Sequence, residues 1–431
     1  MPTVEGARHR QDCSPEPREQ TLPAASQADE TVLTTVTRPS PLFWVGVGLL
    51  ALNLRLAVAS IPPILPELKA HLGLSTTTES LLAAVPIVCF GLVSAVAAPS
   101  ARRFGEERVL GTALGTLALG LGIRAEWPES LLFVGTVVAA GSIAVMNVLL
   151  SSIIKRRDPA HAGLLLGLYL VALSGGASAA SALTVPLYVA SDSSLHVGLG
   201  VWAIPALLAF AAWLPQLRHK TVVRTGGRQR LGLIRQPLAW QLTAFMGLQS
   251  CCYYSVISWL PTMLRHRGAG ATTAGVVLSM LSLGSMIAAL TVPPLASRRT
   301  DHRGLIAPAM LIGLIGVLAL VFGPLAIATP VALFLGIGQG AVLALALMFV
   351  IARSPNPSAA ASMSAMAQGV GYTAAALGPI AVGAVHAWTN SWPLAFSVIV
   401  ALTLAEWVAA WLAARPIVLR HSIDFTDVRL G

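Results

Sequence analysis

The stretch Pro41-Leu-Phe-Trp-Val-Gly-Val-Gly-Leu-Leu-Ala-Leu-Asn-Leu-Arg-Leu-Ala-Val-Ala-Ser60 is apolar throughout except for Asn53, Arg55 and its last residue. A single helix of about 20 such residues crosses a hydrocarbon layer. Arg55 then lies roughly 20 Å along the helix axis, too deep for its side chain to snorkel to either surface. A central arginine costs about 2.5–3.5 kcal/mol on insertion scales. A chain that holds such a charge turns it toward a protein interior or a wet cavity with a partner in it. The spans of this chain hold hardly any acids, so the expected partner is an anionic or strongly polar ligand.

The composition extends this reading to the whole chain. Of its 431 residues, 55% are hydrophobic and 11% charged, and the mean hydropathy is +0.74. A soluble domain carries roughly 25% charged residues. The fold class is therefore an all-α polytopic membrane protein, because spanning helices satisfy their own backbone groups. The net charge of +10 comes from short clusters between apolar runs. That is the pattern of topogenic charges, and it argues against a nucleic-acid partner. Cys13, Cys89, Cys251 and Cys252 have neither metal spacing nor a disulfide framework, so no metal and no cofactor are expected. Residues 1–40 are polar, rich in Pro, Thr and Glu, and lack the apolar core of a signal peptide; they read as a disordered tail.

Apolar runs of spanning length lie at 42–65, 79–98, 109–125, 130–154, 161–190 and 196–214, and again at 238–262, 272–295, 304–323, 327–351, 358–386 and 392–414. Twelve transmembrane helices result. The longest hydrophilic break separates six from six, giving an N-terminal half at 41–214, a central loop at 215–237, a C-terminal half at 238–415 and a tail at 416–431. Apart from Arg55, only Lys69, Arg124, Arg265 and Arg267 fall on the odd-loop side; the other 23 of the 28 Lys and Arg fall in the tails and even loops. The positive-inside rule places both termini and the central loop in the cytoplasm. The chain is read as a monomer in the plasma (inner) membrane, with the lipid bilayer and a small-molecule substrate as its partners.

The halves echo one another. Ala101-Arg-Arg-Phe-Gly-Glu-Glu-Arg follows the second span and Ala296-Ser-Arg-Arg-Thr-Asp-His-Arg the eighth. Tyr169 precedes the small-residue run Ser174-Gly-Gly-Ala-Ser-Ala-Ala-Ser in span five. Gly369-Val-Gly-Tyr372 and Gly378-Pro379 mark span eleven. Small residues let neighbouring backbones approach, and two pseudo-symmetric halves around a central cavity are the arrangement of an alternating-access carrier.

On Leu52-Asn-Leu-Arg55, Pro86-Ile-Val-Cys-Phe-Gly-Leu, Lys155-Arg-Arg-Asp-Pro with Gly163-Leu-Leu-Leu-Gly-Leu-Tyr169, Phe245-Met-Gly-Leu-Gln-Ser250, Trp259-Leu-Pro261 and Met366-Ala-Gln-Gly-Val-Gly-Tyr372, the chain resembles the major facilitator superfamily. Within it, the chain resembles the branch of cyanate and nitroimidazole transporters. The matching stretches cover nearly everything after the tail. Two departures stand out. The superfamily loop after span two has an acid before Arg-x-Gly; here Arg102 takes that place, and Glu106 and Glu107 follow Gly105. Span five lacks the Gly-x3-Gly-Pro pattern of drug antiporters.

Arg55 is the candidate anion hook, since its planar donor fork suits carboxylate, cyanate or similar groups. The structural reading of the same residue is a bond to helix carbonyls. Asn53 is about 200° round the helix from it and serves either the ligand or a neighbouring helix. Asn147, Gln249, Gln339 and Gln368 are further deep amides. Tyr169, Tyr253 and Tyr372 offer rings with one polar tip, and Tyr253 shares a face with Gln249 at i+4. The substrate-binding set is therefore Arg55, Asn53, Gln249, Tyr253, Gln368, Tyr372, Tyr169 and Asn147. Arg102, Arg103, Glu106 and Glu107 form a candidate gate. Glu406 is the only acid well inside a span and reads as structural. The resulting expectation is a non-enzymatic carrier of a small polar, anionic or nitrogen-rich solute. Its rivals are export of a neutral nitroheteroaromatic or drug, and a non-transporting membrane sensor.

Overall fold

In hydrocarbon no water is available to the backbone, so a long apolar run must close its hydrogen bonds within itself. In the computed structural model of the chain, all regular structure among the described residues is helical. Those residues are 41–126, 129–157, 162–218, 233–298, 302–355 and 357–415, with 417 and 419. The expected tail at 1–40 and most of the segments 215–237 and 416–431 lie outside them.

The first span is α1 (Pro41–Ala59), which ends in a 3-10 turn at Pro62–Ile64 and the short α2 (Leu65–Leu72). Then come α3 (Thr76–Phe104), α4 (Glu106–Ile123), α5 (Glu129–Arg157) and α6 (Ala162–Ala190). The sixth span is split into α7 (Leu195–Gly200) and α8 (Ala203–Trp213). The second set is α9 (Pro237–His266), α10 (Ala271–Ser297), α11 (Arg303–Phe322), α12 (Ala328–Ala352), the pair α13 (Pro357–Ala375) and α14 (Leu377–Thr389), and α15 (Trp392–Ala413).

Three expected spans are interrupted, each beside a proline. Pro62-Pro63 end α1 early. Pro205 and Pro379 have no N–H for the carbonyls four residues back, Val201 and Ala375, and their rings crowd those carbonyls; the breaks fall there. Ser75 starts α3 by accepting the Thr78 N–H at 3.1 Å. Gly105, at φ 91°, makes the turn from α3 into α4, a conformation that disfavours any residue with a Cβ.

Ten stretches among the described residues are long and apolar enough to cross a membrane. α4 and α9 fall outside that count for different reasons. α4 opens on Glu106-Glu107-Arg108. α9 carries Thr243, Gln249, Ser250, Ser255 and Ser258, all buried. A spanning helix that is polar and buried faces protein rather than lipid. The outward faces tell the opposite story: Leu119, Ile315 and Val408 are 60%, 61% and 62% exposed, which suits acyl chains and not water.

Small residues set the closest crossings. A Cβ at Gly176 would meet the Leu52 carbonyl at 2.2 Å, so α6 lies directly on α1. Cβ atoms at Gly284 and Gly336 would meet the Leu333 and Leu281 carbonyls at 2.1 and 2.0 Å, which joins α10 to α12. α9 and α13 meet at Gly247 and Gly371. The first and second sets of helices touch chiefly through α6 on α10 and α3 on α13 and α14. Ser178 Oγ and Ser279 Oγ lie 2.6 Å apart across the first of these seams.

Candidate functional site

α1 presents Arg55 to a small cavity between α1, α6, α9 and α10. Each helix gives it two residues one turn apart, which share a face at i,i+4: Arg55 and Ala59, Ala177 and Ser181, Tyr253 and Ile257, Leu278 and Ser282. Val58 completes the lining. The empty space, with the open solvent at its mouth included, is about 260 Å³. The polar groups on it are Arg55, Tyr253, Ser181 and Ser282; the remainder is aliphatic.

The guanidinium carbon of Arg55 stands 4.9 Å from the Tyr253 ring centre and 5.7 Å from that of Tyr254. Those two rings meet edge-on at 5.5 Å. Tyr372 and Tyr169 are near enough to feel the same charge. Four of the chain's five tyrosines thus gather around one arginine. Phe90 links them across the bundle, with its ring 6.2 Å from Tyr254 and 6.3 Å from Tyr372. The faces of these rings carry partial negative charge and partly offset the cost of holding the half-buried cation. Among the described residues the guanidinium has no ion pair and no hydrogen bond. A charge so placed binds an anion or an acceptor well, because little water competes for it.

The other expected site residues divide into those near this cluster and those turned away. Tyr169 donates to Asn147 Oδ1 at 3.3 Å, tying α6 to α5 beside the cluster. Gln368 lies one turn before Tyr372 on α13, and its Nε2 donates to Ser364 Oγ at 2.7 Å. Gln249 is buried on α9, one turn before Tyr253; its Nε2 has no partner among the described residues. Asn53 points elsewhere. It is fully buried, and its Nδ2 donates to the Leu49 and Pro205 carbonyls at 2.8 and 3.1 Å, joining α1 to α8.

The expected gate is also divided. Arg102 and Arg103 are exposed at the end of α3, with Arg103 5.2 Å over the Phe104 ring. Glu106 and Glu107 are buried in the first turn of α4, where the helix dipole favours acids. The Trp213 indole N–H donates to the Glu107 carbonyl at 2.9 Å. Glu406 is likewise turned inward, on α15 against Cys252 of α9, rather than outward to lipid. Two odd-loop cations are structural. Arg124 is buried and donates to the Ala57 carbonyl and Ser60 Oγ at 2.7 and 2.8 Å, closing the end of α1. Arg265 pairs with Glu67 of α2.

Tyr254, Phe90, Ser181 and Ser282 are absent from the expected binding set. Tyr254 and Phe90 had a signal, since both stand in or beside stretches that carry the resemblance. Ser181 and Ser282 had none beyond membership of small-residue runs.

The family model described as Major Facilitator Superfamily matches residues 47–379. The uncharacterized transporter YycB of Bacillus subtilis (strain 168) is 35% identical over 377 residues, covering 86% of this chain and 94% of that protein. The 2-nitroimidazole transporter of Escherichia coli (strain K12) is 35% identical over 84% of this chain and 92% of its own. The cyanate transport protein CynX of the same organism is 30% identical over 77% and 86%. Among solved structures, a bacterial homologue of the human lysosomal transporter Spinster, in an inward-facing and unoccupied conformation, superposes with a TM-score of 0.73 at 14% identity. It covers 88% of this chain and 98% of that one.

Proposed function

The chain belongs to the Major Facilitator Superfamily, and from that premise we propose that it moves a small planar solute with an anionic or acceptor-rich pole across the plasma membrane by alternating access. The observation that carries this reading is Arg55, held among four of the five tyrosines with no carboxylate partner among the described residues. The guanidinium fork takes the acceptor pole of the solute. Tyr253, Tyr254 and Tyr372 flank its plane, and Gln249 supplies an amide donor from the buried side of α9. Tyr169, Gln368 and Asn147 hold the cluster in shape. Both termini face the cytoplasm in this proposal, as the charge bias requires. Two six-helix halves rock about the cavity, with Gly105 and the charges at Arg102, Arg103, Glu106 and Glu107 repositioned between states.

A second reading, carriage of a neutral nitroheteroaromatic, is favoured by the aromatic lining and by the relative named for 2-nitroimidazole. A nitro group and a cyanate ion share the chemistry that Arg55 recognises: partial or full negative charge on a small, rigid set of acceptors. A thermal-shift screen of purified protein tests both readings. A bound ligand at 100 times its Kd stabilises by about 2.7 kcal/mol. Cyanate or 2-nitroimidazole should raise the melting temperature of the wild type and not of Arg55→Ala. If neither compound acts on the wild type, or both act equally on the variant, the assignment of Arg55 is wrong.

A further inference from the structure

Buried hydroxyls on these helices return, as a rule, to a carbonyl one turn back. Thr136, Thr184, Thr243, Ser255 and Thr403 donate to Leu132, Ala180, Ala239, Cys251 and Ile399 at 2.7 or 2.8 Å. Ser181 does not. It is 0% exposed, it lines the Arg55 cavity, and its Oγ has no partner among the described residues. A polar atom left so is costly unless something meets it in another state of the protein.

The surroundings fix where that hydroxyl sits. One turn before Ser181, Ser178 is bonded across to Ser279 at 2.6 Å. A Cβ at Gly275 would lie 2.5 Å from the Ser181 carbonyl, so α10 rests on the backbone of α6 at this residue. The hydroxyl therefore stands where α6 packs against α10. Ser282, also on the cavity, already donates to the Leu278 carbonyl at 3.4 Å.

We propose that Ser181 is a specificity-determining residue that receives the second polar pole of the solute, a hydrogen-bond donor such as a ring N–H, while Arg55 holds the acceptor pole. The proposal rests on the reading of Arg55 given above. On solute binding, the Ser181 side chain turns about its Cα–Cβ bond to donate to the Ala177 carbonyl, the usual route for serine in a helix, and presents a lone pair to the cavity. The class of solute selected is small and planar, with acceptor atoms at one position and a ring N–H at a neighbouring one. A pocket built to bond such a group discriminates strongly against an analogue that lacks it, because the buried hydroxyl is then left unpaired.

The probes are 2-nitroimidazole and its 1-methyl derivative, which keeps the nitro group and loses the ring N–H. Equilibrium binding is measured on the full chain in detergent. Ser181→Ala should weaken 2-nitroimidazole about five- to thirtyfold, as for one lost hydrogen bond, and leave the methyl derivative within twofold. Ser255→Ala, which removes a buried hydroxyl already bonded within its own helix and off the cavity, should shift both probes by less than twofold, and the melting temperature of each unliganded variant reports that it folds. Unchanged 2-nitroimidazole binding in Ser181→Ala, alongside its loss in Arg55→Ala, overturns the role of Ser181 and leaves that of Arg55 standing. Equal losses for both probes, or equal losses in both serine variants, reduce Ser181 to packing and also overturn the proposal. Absence of Arg55-dependent binding in the wild type removes both assignments together.

Discussion

Asn53 and Arg55 stand two residues apart on α1 and serve different ends, because about 200° of helix separates them. The Asn53 Nδ2 is spent on the Leu49 and Pro205 carbonyls. Arg55 turns the other way, to the cavity and the rings of Tyr253 and Tyr254. The two substitutions should therefore separate stability from binding. Asn53→Ala leaves the Pro205 carbonyl without its donor and should cost about 1 kcal/mol of stability, seen as a lower melting temperature with unchanged affinity. Arg55→Ala should leave the melting temperature of the unliganded protein near that of the wild type and weaken an anionic or nitro-bearing ligand tenfold to a hundredfold, the worth of a charged hydrogen bond. Arg55→Lys should recover little, since a point charge does not copy a planar fork. Wild-type affinity in Arg55→Ala would sink the hook. Glu406 belongs to the same scale. Its neighbour is Cys252, on the flank of α9 about 100° from the Tyr253 face, which also meets Thr403 of α15. Uptake into proteoliposomes should thus survive Glu406→Gln. If the variant abolishes accumulation driven by a pH gradient, Glu406 carries the proton and is not structural.

At the scale of elements, glycine decides which helices can lie together. α10 and α12 approach until Gly336 faces the Leu281 carbonyl and Gly284 the Leu333 carbonyl, each leaving no room for a Cβ. Gly336→Val must push a backbone away, and overpacking of this kind costs about 1–3 kcal/mol. The variant should express poorly and melt lower, whereas Gly48→Ala, whose added Cβ meets nothing within 4 Å, should be tolerated. The helices themselves were legible in the sequence, because a span must be both apolar and long. Their breaks were less so: Pro86, Pro186, Pro261 and Pro308 remove the same kind of donor yet lie inside unbroken helices, so nothing local marks Pro205 and Pro379 as the places of the breaks. The faces were legible only in part. Tyr253 and Tyr372 could be read as lining because they sit in distinctive stretches beside deep amides. Ser181 could not, since nothing local separates it from Ser174 or Ser178 in the same run. What separates them is the rotation of α6, and that is set by Gly176 against Leu52 of α1 and by Gly275 of α10 against Ser181, contacts between residues far apart in the chain.

At the scale of the whole molecule, the two sets of helices are tied together at the end that carries α2. Glu67 of α2 pairs with Arg265 at the end of α9, with side chains 13% and 29% exposed. Beside it, Lys69 of α2 pairs with Glu79 of α3 at 2.9 Å. A Cβ on Gly383 of α14 would stand 2.0 Å from Ser80 Oγ of α3. Arg267, two residues past Arg265, donates to the Leu320 and Gly323 carbonyls at the end of α11 and so anchors the segment. Glu67–Arg265 is thus a charged tie between elements of the first and second sets, partly shielded from water and so worth more than a surface pair. If the carrier opens at this end during its cycle, the tie must break each time. Glu67→Arg places two like charges together and should bias the protein toward the state open at this end. A cysteine introduced at Ser282, on the cavity, should then react faster with a membrane-impermeant thiol reagent added from the α2 side. The double variant Glu67→Arg with Arg265→Glu restores the pair in reverse and should return the rate toward that of the parent, which is what distinguishes a tie from general damage. Equal reactivity in the parent, the single and the double variant would mean that the pair holds only the α2 hairpin, and that closure at this end rests on the packing of α3 against α14 and of α6 against α10.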